Sequence, residues 1–351
     1  MEHLVEILKK ASDMRASDLF IMPGAVITVK VENDLASVTD KRLNAEETRH
    51  LIEEIYTLAG RSTNRLEKEG DDDFSFAIAN VSRFRCNAYR QRGSLAATCR
   101  IVKFGLPDPA ELHIPEIVLN LAENRSGMIL VTGPAGCGKS TTLACIIDRI
   151  NTIHSGHIVT IEDPIEYLHT HRKSLVSQRE VSNDAMTFSS ALRAALRQAP
   201  DVVMLGEMRD VETIHAAITA AETGHLLLSS LHTVGAAKTI DRILDSFQAQ
   251  QQAHIRIQLS MVLKTVVSQR LVPTVDGRRW PVFEVMLVNP AISTMIRDGR
   301  THQIDNIIYG ENGKTMLSMD SELQRCCREG LISRNTAIMY ASNPEIMGKK
   351  L

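Results

Sequence analysis

Long apolar runs are missing from this sequence. Nothing in it approaches the roughly 18–20 consecutive apolar residues that a bilayer-spanning helix needs. The start, Met1-Glu2-His3-Leu4-Val5-Glu6, lacks the basic region and apolar stretch of a signal peptide. Aromatic residues are scarce at 4%, which leaves little for stacking on nucleic-acid bases. Neither sign of charge dominates: 40 Lys and Arg against 42 Asp and Glu give a formal net charge of −2. No global field therefore draws the chain to DNA or to an anionic membrane, and no nucleic-acid partner is expected. The six cysteines, Cys86, Cys99, Cys137, Cys145, Cys326 and Cys327, form no C-x-x-C pair. That spacing fits neither a zinc knuckle nor a disulfide framework, so the expectation is reduced thiols in the cytoplasm and no zinc.

What is present is ordinary globular material, 44% hydrophobic and 23% charged over 351 residues. At roughly 150 residues per domain the length suggests two domains. The first hundred residues read as a small α+β unit. Leu4, Val5, Leu8 and Ala11 recur at helical spacing, Leu19–Met22 and Val26–Val31 read as strands, and Asn44 with Glu47 has the spacing of a capping box, with Gly60 as the helix stop. Several strands follow between Phe74 and Val102, with turns at Asn80 and Gly93. Pro107, Pro109 and Pro115 mark residues 103–115 as a linker, which divides the chain into domains 1–102 and 116–351.

After the linker, strand-like and helix-like segments alternate: strands at 128–132, 158–161, 202–205 and 226–228, helices at 139–153, 187–198 and 211–222. This alternation predicts a mainly parallel sheet with helices on both faces. The region from Ala249 onward reads as mostly helical.

Gly133-Pro134-Ala135-Gly136-Cys137-Gly138-Lys139-Ser140 fits G-x-x-x-x-G-K-[ST], with Thr141 following. It lies after an apolar strand and opens a helix, the context a phosphate loop requires. The glycines let successive N–H groups face phosphate oxygens, and the helix N-terminus favours the anion. Lys139 is expected at the outer phosphates and Ser140 at Mg²⁺, which predicts ATP and Mg²⁺ as cofactors. Cys137 reads as a bystander. The loop alone does not name a reaction. The guanine motif N-K-x-D and the transporter signature L-S-G-G-Q are both absent.

Glu162, Asp163 and Glu166 follow one predicted strand and Glu207 another. Strand ends of an open parallel sheet face the ligand crevice. Glu207 stands where an acid would hold a magnesium-bound water or orient the attacking water, with Glu162 second for that role. His225 and His232 bracket a short strand, and His232, at its carboxyl end, is the better placed to sense the terminal phosphate. Arg83 and Arg85 share one side of a predicted strand, and simple strand pairing adds Arg100.

Gly133–Thr142, Thr160–Glu166, Gly206–Asp210, Thr219–His225, Leu231–Thr233 and Lys238–Arg242 together resemble the secretion ATPases, and within them the type IV pilus retraction ATPases, the PilT family. The resemblance covers nearly the whole chain. It implies an α/β fold, a PAS-like α+β N-terminal domain followed by a RecA-like ATPase domain. It implies a cytoplasmic homohexamer, peripheral to the inner face of the cytoplasmic membrane, acting on a platform protein and the pilus machinery. ATP hydrolysis would drive pilus retraction. By resemblance Glu162, Asp163 and Glu166 form an Asp box, Glu207 is the Walker-B acid, and His225 with His232 form a His box. Arg85 and Arg100 would neutralise phosphate charge, with Arg83, Arg90 and Arg92 in reserve. Two departures stand out. Ala135 and Cys137 replace the family's Thr and Ser, and Ala291-Ile292-Ser293-Thr294-Met295 replaces A-I-R-N-L. Assembly and export ATPases, which usually carry a longer N-terminal region and a four-cysteine zinc element, are the alternative, as is a retraction-accessory paralogue. A nucleic-acid motor and a non-hydrolysing nucleotide switch are the readings from other classes.

Overall fold

The computed structural model describes residues 2–351 except 33, 80, 103, 104, 312 and 314. The turn expected at Asn80 and the linker residues Lys103 and Phe104 lie outside the described residues. The chain divides into two compact units. One runs to Gly105 and takes in Glu166–Leu168; the other comprises Leu106–Ile165 and His169–Leu351.

The N-terminal unit is an antiparallel sheet of six strands: β1 (Asp18–Ile21), β2 (Thr28–Val31), β3 (Asp34–Ser37), β4 (Asp71–Ile78), β5 (Ser82–Gln91) and β6 (Ser94–Val102), in the order β3-β2-β1-β6-β5-β4. Helices Glu2–Asp13 and Ala45–Leu58 bury Leu4, Leu8, Ile52 and Ile55 against Leu19, Val29, Phe84 and Cys99 of the sheet. The capping box forms as the spacing requires: Glu47 N donates to Asn44 Oδ1 at 2.8 Å, and Asn44 N to Glu47 Oε2 at 2.9 Å. Arg92 and Gly93, both at positive φ, make the two-residue turn between β5 and β6. Its register sets Arg85 directly opposite Arg100, on an exposed face.

The second unit is a RecA-like layer structure. Its strands are β7 (Gly127–Thr132), β8 (His157–Glu162), β9 (Leu175–Glu180), β10 (Val202–Leu205), β11 (Leu226–Leu231), β12 (Leu263–Pro273) and β13 (Arg279–Leu287). The order is β13-β12-β7-β11-β10-β8-β9, parallel throughout except for the β12–β13 pair. Side chains alternate between two buried faces, so the central strands read as continuous apolar runs. Met128, Leu130, Val159 and Val203 meet the helices Phe188–Ala195, Val211–Glu222, Ala236–Asp245 and Ala249–Val262. Ile129, Val131, Ile158 and Met204 meet helix Lys139–Ile153 on the opposite face.

The region from Ala249 onward is mostly helical, as the sequence predicts, but it also contributes two strands that the sequence reading did not place, β12 and β13, 11 and 9 residues long, to the edge of the sheet. Polar residues at Lys264, Ser268, Gln269 and Arg270 interrupt the apolar pattern of β12: Gln269 turns to the phosphate loop, Ser268 to the loop at Gly235, Arg270 to the Tyr340 carbonyl, and Lys264 lies against Gly127. Helices Met319–Arg328, Arg334–Tyr340 and Pro344–Lys350 then close a separate apolar cluster with Val272 and Val282 of this strand pair.

Candidate nucleotide site

The phosphate loop leaves β7 at Thr132 and enters helix Lys139–Ile153. Gly133, at φ 146°, passes so close to β12 that an added Cβ would lie 2.2 Å from the Gln269 carbonyl oxygen. Only glycine permits that approach. A Cβ at Gly138, φ 93°, would meet Gln269 Nε2 at 3.0 Å, and Thr142 Oγ1 donates to Gln269 Oε1 at 2.7 Å. Gln269 therefore walls and anchors the loop, a role that sequence reading missed.

Lys139 is buried and donates to the carbonyls of Gly133 and Pro134, each at 3.0 Å, which offsets the cost of burying the ammonium. Its Nζ also lies 3.5 Å from His232 Nδ1, and His232 Nε2 lies 3.3 Å from Glu207 Oε2. An ammonium only donates and a carboxylate only accepts, so this geometry assigns the neutral His232 tautomer with its proton on Nε2. Glu207, with a side chain 12% exposed, takes Arg209 Nη2 at 2.6 Å on its other oxygen. Burial of a carboxylate is sustained by such paired donors. Arg209, 70% exposed, was not assigned a role from the sequence.

The acids after β8 separate by environment. Glu162 is buried and accepts from Thr160 Oγ1 at 2.6 Å and Gln178 Nε2 at 3.3 Å, while Asp163 and Glu166 are exposed. Glu180, also buried, accepts from Ile165 N at 3.0 Å and so shapes this acidic turn. Gly206 lets β10 close on β8: its added Cβ would sit 3.4 Å from Glu162 Cα.

The structure does not bring His225 to this group. His225 precedes β11, with Nδ1 3.0 Å from the Ala220 carbonyl and 3.1 Å from Thr223 Oγ1. His232 follows the same six-residue strand, so about 20 Å of strand separates the two. Arg85 and Arg100 lie on the N-terminal sheet, where Arg100 Nε donates to Asp18 Oδ1 at 3.1 Å; Arg90 and Arg92 are also exposed there, and Arg83 is half-buried. Burial raises the Cys137 thiol against the opposing pull of Lys139, so it stays protonated, in keeping with a bystander.

A cavity of about 470 Å³ opens beside Gly138, Thr141 and Thr142. Leu112, Ile114, Leu271 and Trp280 are among its lining residues. The His113 ring stacks on Trp280, centroids 4.0 Å apart and planes 22° apart. This is an apolar slot at the end of a phosphate loop, sized for a base and sugar. The sequence carried no motif for it, because its walls come from the segment before β7, the phosphate loop, β12–β13 and the turn at Gly330–Leu331.

Ser140 is exposed at the loop's helix end, and Glu207 presents carboxylate oxygens at the same edge of the sheet. These hard oxygen donors suit Mg²⁺, which takes only one or two protein ligands beside phosphates and water. Among the described residues no group of three or more His, Cys, Asp or Glu is arranged to hold a metal by itself. No described helix is long and apolar enough to cross a membrane.

Comparison with known proteins agrees with this geometry. The family model described as "Type II/IV secretion system protein" matches residues 2–330. The type IV pilus retraction ATPase PilT of Pseudomonas aeruginosa is 40% identical over 97% of this chain and 99% of its own length. A twitching motility protein of Neisseria gonorrhoeae is 42% identical over 91% of this chain and 85% of its own length. The crystal structure of the pilus retraction motor PilT with bound ADP superposes with a TM-score of 0.87 at 42% identity, covering 97% of this chain and 98% of that one. The ATPase DotB of Legionella pneumophila follows at 0.82 and 29%, covering 96% and 94%. With its phosphate loop, paired acid and RecA-like sheet, the chain belongs to the type II/IV secretion ATPase family, in the branch of the PilT retraction ATPases.

Proposed function

We propose that this protein is a Mg²⁺-dependent ATPase that powers type IV pilus retraction. The observation that carries the ATPase reading is the relay Lys139–His232–Glu207–Arg209, with separations of 3.5, 3.3 and 2.6 Å. It joins the phosphate-binding lysine to a buried carboxylate through one histidine.

In this reading the N–H groups of Gly133 to Thr141 cradle the phosphates, and the base enters the slot beside Trp280. Lys139 exchanges the Gly133 and Pro134 carbonyls for phosphate oxygens. Ser140 and Glu207 would hold Mg²⁺, which supplies charge neutralisation at the outer phosphates when bound. Glu207 orients the attacking water and takes up its proton, and Arg209 keeps that carboxylate aimed. His232 reports the terminal phosphate to Glu207. Glu162, supported by Asp163 and Glu166, maintains the negative field that holds the metal's waters. Arg85 and Arg100 neutralise phosphate charge in an assembled homohexamer. His225 acts in the fold of the turn before β11 rather than in chemistry. The ring works at the inner face of the cytoplasmic membrane, against a platform protein of the pilus machinery.

Similarity to PilT and to a twitching motility protein over most of the chain supports the retraction output. A second reading, an accessory to another retraction ATPase, is favoured by one feature. Ser293 stands where the family has arginine, and its hydroxyl donates to the Ser260 carbonyl at 2.7 Å, so this helix face is fastened inward. The type IV pilus ATPase PilU of Pseudomonas aeruginosa is 35% identical over 96% of this chain.

The test is steady-state Mg-ATPase turnover per chain across a protein dilution series, with particle size measured on the same samples. Specific activity that collapses as the ring dissociates supports sites completed between subunits. Full activity in monomers removes the ring and its arginines from the chemistry. Absence of turnover at every concentration favours the accessory reading.

A further inference from the structure

Glu284 is a buried carboxylate in the middle of β13. Burying a carboxylate is costly unless donors face it. The hydrogen-bond donor here is a backbone amide, Ala236 N at 2.9 Å, and the Met319 amide adds a favourable dipole toward the same carboxylate. Each belongs to the first residue of a helix, Ala236–Asp245 and Met319–Arg328, where negative charge is favourable.

The first of these helices follows directly on the loop 232–235 that carries His232. The second begins the C-terminal helices. The loop is held again at Gly235, whose N–H donates to Ser268 Oγ at 2.9 Å. Ser268 is the register partner of Glu284 on one side and of Thr132 on the other, and Thr132 is the residue before the phosphate loop. Next to Glu284, Val285 pairs with Leu317 through N–H···O bonds of 2.8 and 3.1 Å, which fixes the chain just before Met319.

We propose that Glu284 is a positioning residue: by accepting from Ala236 N it sets the loop carrying His232, and through the helix start at Met319, tied to its neighbour Val285 by way of Leu317, it makes that loop's position depend on the C-terminal helices. It touches neither phosphate nor Glu207. Its action runs through the helix start at Ala236, and from the other side a movement of Met319–Arg328 displaces the acceptor on which that start rests. The inference rests on the reading of His232 as the contact between the phosphate end and Glu207.

The test uses the full chain as wild type, Glu284→Ala, Glu284→Gln and His232→Ala. The readouts are amide hydrogen exchange, kcat, and affinity for a fluorescent ATP analogue. Glu284→Ala is expected to speed exchange at both Ala236 and Met319. It should lower kcat by at least about ten-fold, since small misplacements of catalytic groups have effects of that order. Analogue affinity should stay within about two-fold, because the phosphate loop keeps its own contacts. Glu284→Gln retains an acceptor oxygen and should recover most of the lost kcat. Faster exchange at only one of the two helix starts, or an unchanged kcat in Glu284→Ala, overturns the proposal. If Glu284→Ala does not fold, Glu284→Leu, which fills the space without an acceptor oxygen, takes its place: faster exchange at both helix starts supports the proposal, and unchanged exchange overturns it. Full turnover in His232→Ala, with exchange raised at both starts in the variant that lacks the acceptor, locates the failure in the role given to His232.

Discussion

Thr142 donates to Gln269 at 2.7 Å, so the helix behind the phosphate loop and the strand beside it hold each other. The same glutamine lies against Gly133 and Gly138. Replacing Gln269 by alanine leaves the buried Thr142 hydroxyl without this acceptor, at a cost of about 1–3 kcal/mol. It also leaves the loop unsupported. The expected result is weaker ATP binding with kcat changed less than KM, measured by nucleotide titration and steady-state kinetics.

Arg209 tests how Glu207 is prepared for chemistry. The guanidinium is largely exposed and the carboxylate is not, so removing Arg209 takes away the ion-pair partner that aims the acid. Arg209→Ala is expected to lower kcat by roughly ten- to a hundred-fold, in the range of removing one electrostatic support. ATP affinity should hardly move.

The N-terminal unit contains a different kind of pair. Asp72 is fully buried on β4 and accepts from Arg61 Nε at 3.0 Å, Arg61 Nη2 at 2.8 Å and Tyr56 Oη at 3.1 Å. Arg61→Met removes the bidentate partner and leaves the buried carboxylate with the Tyr56 hydroxyl and Arg65 Nη1, 3.8 Å away, a loss of up to about 3–5 kcal/mol. Thermal unfolding should show this loss, while Arg61→Met with Asp72→Asn together should recover part of it.

Glu284 also makes a pH prediction. Burial raises its carboxyl above the ordinary value of 4.5, with Asp305 and Asp320 raising it further against the Ala236 and Met319 amides. A carboxyl raised in the folded state binds its proton more tightly folded than unfolded. Its contribution to stability is full below about pH 4.5 and is lost as pH rises through the folded value. The stability of the wild type relative to Glu284→Gln should therefore fall on going from mildly acidic to neutral pH, measured by denaturant unfolding.

Much of this site was legible because its signals are local. The phosphate loop, the apolar strand before it and the helix after it are contiguous, and Lys139–Ile153 and Val211–Glu222 are the helices the sequence predicts. Glu207 and His232 were legible because acids and histidines at strand ends have few structural reasons to be there. Gln269 and Ser268 were not, because strand pairing across more than a hundred residues brings them to the phosphate loop, and Glu284 was not, because it meets the start of a helix 48 residues before it. The polar side chains of Ser268 and Gln269 also made β12 look unlike a buried strand. The slot beside the phosphate loop needed four separated segments, and no single one signals it. His225 and His232 lie at opposite ends of β11, as the sequence predicts, and of the two only His232 reaches the phosphate-loop group in this chain.

The central claim is that Glu207 performs the chemistry beside a nucleotide held by Lys139. The most direct measurement is ATP binding and turnover in Glu207→Gln, against wild type, under conditions where both form the same assembly. Binding within about two-fold of wild type with turnover lowered by at least about a hundred-fold is the predicted result, in keeping with the loss of a general base. Near-normal turnover in Glu207→Gln would contradict it and pass the role to another acid, with Glu162 the first to examine.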